Sequence, residues 1–266
     1  MSPGLAPDGG IAGSHDLPTP GSALVIVAHP DDAEFQCGAT LAKWAQLGTT
    51  VHHLVLTDGS KGTWDPRADQ SALIATRAAE QQTAAKQLGA TGEVVFLGAV
   101  DGDLSSTSEA TAAVCAILRR LKPQFVLAHD PWKRYRLHPD HAAAGDLAVR
   151  GIIASRDPFF YPEQLVGTPS KAGSGIHRVE ELLLFEPDEV NHFESLDSAA
   201  AQAKIDGLIA HESQHETTHF SGLPSSHSHE QLLEAFSTNE ITKLSESGAR
   251  HGVDLAEEFH RIRNQL

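Results

Sequence analysis

The chain alternates short apolar runs with longer amphipathic stretches. Residues 23–28 (Ala-Leu-Val-Ile-Val-Ala) contain no polar position, the pattern of a parallel strand buried on both faces. Residues 51–57, 94–97 and 125–128 predict three further strands. Helical stretches fall between them: 37–48, closed by Gly48; 71–88, with Leu73, Arg77, Glu80 and Ala84 at helical spacing and Gly89 as the stop; 107–121; and 139–154, opening at Pro139. Strict strand–helix alternation predicts an α/β fold, a Rossmann-like parallel sheet flanked by helices with right-handed crossovers.

Beyond residue 155 the pattern loosens. Residues 155–175, rich in proline, glycine and aromatics, predict a loop near the pocket, and 180–185 a further strand. Residues 198–219 predict a helix, 220–229 a polar loop, and 230–236 and 253–263 terminal helical pieces, together a small α-rich C-terminal extension. The Gly, Pro, Ser and Asp of residues 1–20 predict a disordered lead-in to a single domain over 21–266.

Charge narrows the partners. With 20 basic and 35 acidic side chains, a formal charge of −15, and no Lys/Arg cluster, nucleic acid and anionic membrane surfaces are poor partners, while small ligands stay open. No apolar run is long enough to span a bilayer, and the N-terminus lacks the charged and apolar regions of a signal peptide. Cys37 and Cys115 lie in unrelated segments, which fits buried reduced thiols rather than a disulfide framework. A cytoplasmic, membrane-free location is expected.

Two phrases carry chemistry: Ala28-His29-Pro30-Asp31-Asp32 and His138-Pro139-Asp140-His141. The first follows the opening strand, where α/β sheets collect ligands at strand carboxyl ends. His29 and Asp32, three apart on a strand-to-helix turn, can reach one ion, and Asp31 between them would point differently, towards the ion's water. Pro139 suits the first helical position and Asp140 the positive helix start, which mounts His141 rigidly as a third ligand from the other half of the sheet. Either phrase alone also fits an ordinary turn. Together they describe a metal site that keeps one position open for water.

A rival motif is His211-Glu212-Ser213-Gln214-His215, the H-E-x-x-H of metalloproteases on a predicted helix, with His219 one turn further. The glycine and later histidine of its extended form are absent. A dinucleotide site is disfavoured because His-Pro-Asp-Asp replaces a G-x-G-x-x-G loop. Of the 16 histidines, His52 and His53 lie in a strand, where at most one faces the core, and His227 and His229 read as solvated. His129, at a strand end, either lines the pocket or packs in the core. Trp132 and Tyr135, just before His138, are placed to stack on a ligand ring or shape a lid.

With Thr57-Asp58-Gly59, the Arg77/Glu80 pair, Phe96-Leu97-Gly98 followed by Asp101-Gly102, and Asp130-Pro131-Trp132 ahead of the second phrase, the chain resembles the PIG-L/LmbE-like zinc-dependent de-N-acetylases over about residues 23–215. That family includes the deacetylases of N-acetylglucosaminyl-phosphatidylinositol, of mycothiol and bacillithiol synthesis, and of diacetylchitobiose; residues 57–63 and Asp130-Pro131-Trp132 look most like the diacetylchitobiose branch. Its Ala-His-x-Ser-Gln phrase matches residues 210–214, which makes Glu212 and His215 coincidental. The resemblance implies zinc, or another divalent metal, on His29, Asp32 and His141. It implies Asp31 as general base, His138 (in its protonated form) stabilising the oxyanion, Asp140 tuning that histidine, and Arg77 and Asp101 as substrate-binding residues. It implies deacetylation of a small N-acetylglucosamine-containing amino sugar by metal-activated water, and a homo-oligomer. An amidase for another acyl-amide, a thiol conjugate or an acylated natural product, is the alternative.

Overall fold

The computed structural model describes residues 13–165 and 175–263. Its strands are β1 (Ser14–His15), β2 (Ser22–Val27), β3 (Thr50–Thr57), β4 (Val94–Ala99), β5 (Phe125–His129), β6 (Glu181–Phe185), β7 (His192–Ser195) and β8 (Ala256–Arg263). Its helices are α1 (Asp32–Gln46), α2 (Gln70–Gln87), α3 (Ser108–Leu121), α4 (Pro139–Ser155), α5 (Ser198–Ile209) and α6 (His229–His251). The strands form one sheet in the order β1-β7-β8-β6-β5-β2-β3-β4, parallel throughout except for β8, which runs antiparallel to both neighbours. Helices α1 and α5 pack together over one face, and α3 and α4 over the other. The central strands are therefore buried on both sides, which is why β2 is apolar along almost its whole length.

The predicted strand–helix alternation from 23 to 154 matches these elements. The terminal segments depart from expectation. Of the expected lead-in, residues 1–12 lie outside the described residues, but Ser14–His15 join the sheet and residues 16–20 run on towards β2. β1 pairs with β7, Leu17 is buried, and Asp16 accepts hydrogen bonds from Lys43 Nζ (2.6 Å) and the Ser195 hydroxyl. Of the loop expected over 155–175, residues 166–174 lie outside the described residues, and Pro162–Leu165 form a 3₁₀ turn. The helix expected over 230–236 extends from His229 to His251, held by a Ser228–Gln231 capping box and closed by Gly252 at φ 74°. The segment expected as a helix over 253–263 is instead strand β8. Its buried Glu257 is paired with Lys204 of α5 (2.9 Å), and Arg261 with Glu181 of β6 (2.7 Å), so charged side chains occupy positions where a strand pattern shows apolar ones. Strand β3 buries both His52 and His53, because both faces of the sheet are covered at that point.

The helix expected to start at Cys37 begins five residues earlier, at Asp32, and Cys37 is where α1 breaks (φ −149°). Glu257 from β8 accepts the N–H groups of Ala39 (3.2 Å) and Thr40 (2.8 Å) just after the break, a carboxylate set at a helix start. Both cysteines are free and buried.

Gly145 lets α4 lie against the end of β5. A β-carbon there would run into the His129 carbonyl oxygen and sit 2.9 Å from the Pro131 nitrogen. Gly145→Ala is expected to cost about 1–3 kcal/mol, by forcing the helix off its seat, and thermal unfolding checks it. An unchanged melting temperature would show that the helix tolerates the shift.

Candidate metal centre

The carboxyl ends of β2, β3, β4 and β5 open onto one cavity of about 480 Å³. The turn after β2 supplies His29, Asp31 and Asp32, the turn after β4 supplies Asp101, and the first turn of α4 supplies Asp140 and His141. Ligand atoms of His29, Asp32 and His141 all lie within 4.8 Å of one another. His29 Nδ1 is 3.3 Å from Asp32 Oδ2, and His141 Nε2 is 3.3 Å from Asp32 Oδ1. Two imidazoles and a carboxylate from opposite halves of the sheet thus face one point, a donor set that suits a divalent transition metal.

The outer side of His29 is held as well. Its Nε2 lies 3.1 Å from Asp140 Oδ2 and 3.3 Å from Asp101 Oδ1. A ring nitrogen turned to a carboxylate in this way sets the tautomer and leaves Nδ1 free for a ligand. Asp140 is fully buried, and its oxygens also accept the N–H groups of Gly102 (2.6 Å) and Leu104 (3.1 Å). Its short contacts go to His29 and the loop after β4, and it shares with His138, the histidine it was expected to tune, a cluster whose ligand atoms lie within 4.8 Å of one another.

Four carboxylates, Asp31, Asp32, Asp101 and Asp140, crowd this space, with the Arg77 guanidinium 3.5 Å from Asp31 and that of Arg136 3.4 Å from His141. Burial opposes charge on His29, yet hydrogen bonds to Asp101 and Asp32 push its pKa up to about 11. Burial works against ionised Asp32, but His141 and His129 hold its carboxyl well below the usual range. Burial pushes Asp31 up to about 6, against the pull of Arg77. A cation shared by His29, Asp32 and His141 would offset these carboxylates.

His138 sits at the mouth, exposed, its ring 4.6 Å from His29 and 4.9 Å from His141. Burial and these two neighbours push its pKa down. His129 is wholly buried behind the site. It stacks on His141 at 4.2 Å, and burial lowers its pKa to about 4, so it backs the cluster as a neutral ring.

Arg77 and Asp101, expected to bind substrate, both border the cavity, but their short contacts are internal. Arg77 donates to the carbonyls of Pro30 (2.7 Å) and Gly59 (2.9 Å). Asp101 accepts from Lys61 N–H (3.1 Å). Two residues that sequence reasoning passed over, Gln81 and Glu34, also meet this turn. Gln81 lies one helical turn beyond Arg77, and that spacing was the available signal.

The protease-like motif is not a helical ligand pair. α5 ends at Ile209, and Glu212–Gln214 form a 3₁₀ turn. His211 Nε2 faces Glu34 at 3.4 Å, and His215 Nε2 is 2.9 Å from the Ile209 carbonyl. None of the metal-type clusters among the described residues includes them. Ser213 instead anchors the segment to α2, its N–H and hydroxyl both donating to Glu80.

His219 packs between Phe35 and Phe236, and its Nδ1–H donates to the Gln214 carbonyl. Burial pushes its pKa from 6.5 down to about 4, partly offset by that carbonyl. The fold holds the neutral ring, so between pH 4 and 6.5 the unfolded chain binds the extra proton. Stability is therefore expected to rise with pH across that window, by about 3 kcal/mol for this one group. Urea midpoints at pH 4.5 and 7 should show a smaller difference in His219→Phe than in the wild type; equal differences would remove His219 from the effect.

Comparison with known proteins extends this picture. The family profile described as GlcNAc-PI de-N-acetylase, PIG-L, matches residues 24–152. A diacetylchitobiose deacetylase of Thermococcus kodakarensis is 31% identical over 191 residues, 72% of this chain and 69% of that protein. A 1D-myo-inositol 2-acetamido-2-deoxy-alpha-D-glucopyranoside deacetylase of Streptomyces avermitilis is 32% identical over 170 residues, 55% of this chain and 57% of that protein. Among solved structures, the N,N'-diacetylchitobiose deacetylase of Pyrococcus horikoshii, in complex with its inhibitor, superposes with a TM-score of 0.78 at 26% identity, covering 92% of this chain and 84% of that one.

Proposed function

The chain belongs to the PIG-L family of de-N-acetylases, and from that membership we propose that it hydrolyses the acetamide of a small N-acetylglucosamine-containing substrate. We assign His29, Asp32 and His141 to hold a zinc ion. The observation that carries this reading is their convergence on one point with the Asp31 carboxyl group beside it.

When bound, zinc supplies Lewis acidity and lowers the pKa of water from about 15.7 to around 7. The rest falls to the chain. Asp31, with its pKa raised to about 6, is ionised at neutral pH yet basic enough to take the proton of the attacking water on a carboxylate oxygen. His138 donates a ring N–H to the acetyl oxygen as it gains charge, a contribution of roughly 3–4 kcal/mol for one well-placed donor. Asp140 holds the His29 ring in register. Arg77, locked to the Pro30 and Gly59 carbonyls, keeps Asp31 facing the cavity.

A second cavity of about 680 Å³, lined by Lys61, Trp64 and Asp69 among others, meets the first at Lys61. It offers room for what lies beyond the acetylated sugar, and the exposed Trp64 on its wall suits stacking on a ring, whereas Trp132 borders a separate cavity with Arg134 and His260. No helix among the described residues is long and apolar enough to cross a membrane, which fits a small-molecule substrate presented from water.

Metal analysis and acetate release on a panel of diacetylchitobiose, glucosaminyl-inositol conjugates and other acyl-amides test this function. Stoichiometric zinc and acetate from the N-acetylglucosamine compounds are expected. A zinc-loaded protein that spares every acetylated sugar and cleaves another acyl-amide would replace the substrate class.

A further inference from the structure

Asp31 occupies a backbone conformation that L residues rarely adopt, φ 96°, at the N-cap of α1 with no side-chain cap of its own. Non-glycine residues persist there only when their surroundings impose it. The surroundings are fully buried. Gln81 of α2 accepts the Asp31 N–H on Oε1 at 3.0 Å and donates from Nε2 to Glu34 Oε1 at 2.8 Å. The other Glu34 oxygen faces His211 Nε2 at 3.4 Å. Gln81, Glu34 and His211 are each 0% exposed, and neither Gln81 nor Glu34 lines the cavity.

We propose that Gln81 and Glu34 are positioning residues for Asp31, a hydrogen-bond relay that holds its peptide in the strained conformation from which the carboxylate meets the water. The inference rests on the reading of Asp31 as proton acceptor. A reversed Gln81 amide would turn its NH₂ towards the Asp31 N–H, donor against donor. Glu34, which offers acceptors at the far end, disfavours that reversal. With the amide locked, one residue on α2 and one on α1 together set the Asp31 backbone. Arg77, four residues before Gln81 on α2, grips the preceding Pro30 carbonyl. The turn is thus held on both sides of the Pro30–Asp31 peptide.

Gln81→Met keeps the volume and removes both hydrogen bonds. It is expected to lower kcat on the order of 10²-fold, the cost of a roughly 1 Å misplacement, with KM and bound zinc unchanged. Glu34→Leu should reproduce that loss, and the double variant should be no worse than either, since both act through one path. Glu34→Gln, which still accepts from Gln81, should restore kcat to within several-fold of wild type. In the wild-type protein the Asp31 amide should exchange slowly with deuterium, which decides the matter if the core variants fail to fold. Rapid exchange, an unchanged kcat in Gln81→Met, or a loss that appears in KM or metal content would overturn the relay. If Asp31→Asn is inactive in the same assay, only the relay fails; an active Asp31→Asn would remove the reading beneath it.

Discussion

Asp31→Asn is expected to retain its metal and lose nearly all turnover. The substitution keeps shape and keeps the backbone N–H that Gln81 accepts, but the amide cannot take a proton at neutral pH. Arg77 stays in place through the Pro30 and Gly59 carbonyls, so the turn should hold without the carboxylate 3.5 Å away. General base catalysis alone is worth on the order of 10²–10⁴ in rate. The loss should appear in kcat at unchanged zinc content and near-wild-type unfolding temperature. A variant with normal turnover would remove Asp31 from proton transfer.

His141→Ala should act on the metal itself. It removes one of the three donors and leaves Asp32 facing His29 and the buried His129. Loss of a supporting residue outside a metal's own ligands commonly costs 10–100-fold in affinity, so loss of a ligand should cost on the order of 100-fold or more. Dialysis followed by metal analysis, with titration calorimetry, gives the number. His138→Ala is the control: its ring stacks 4.9 Å from that of His141, yet it should keep the metal and lose rate instead. Unchanged zinc affinity in His141→Ala would contradict the ligand assignment.

Much of the site was legible in the chain because its residues are local. His29 and Asp32 share one turn, His138 and His141 another, and each turn follows an element whose pattern is unambiguous. The partners of those residues were less legible. Asp140 was expected to serve His138, its neighbour in sequence; that its carboxylate also reaches His29 and the N–H groups of Gly102 and Leu104 was not legible. Gln81 and Glu34 belong to helices read mainly for their apolar spacing, and neither carries a motif that announces a role.

The sequence by itself determined the alternation of strands and helices from 23 to 154 and the two His/Asp phrases, one after the opening strand and one at the start of a helix. Burial on both faces writes a parallel strand as an apolar run, and turn chemistry writes a strand-to-helix junction as His, Pro and Asp. Only the tertiary structure decided that residues 256–263 form a strand, that α1 breaks at Cys37, and that Asp31 lies at φ 96°. Each depends on partners far along the chain. Glu257 meets Lys204 and the N–H groups of α1, while Asp31 meets Gln81. Buried polar pairs of this kind leave no period in the sequence, because their hydrogen-bond geometry exists only once the layers have packed.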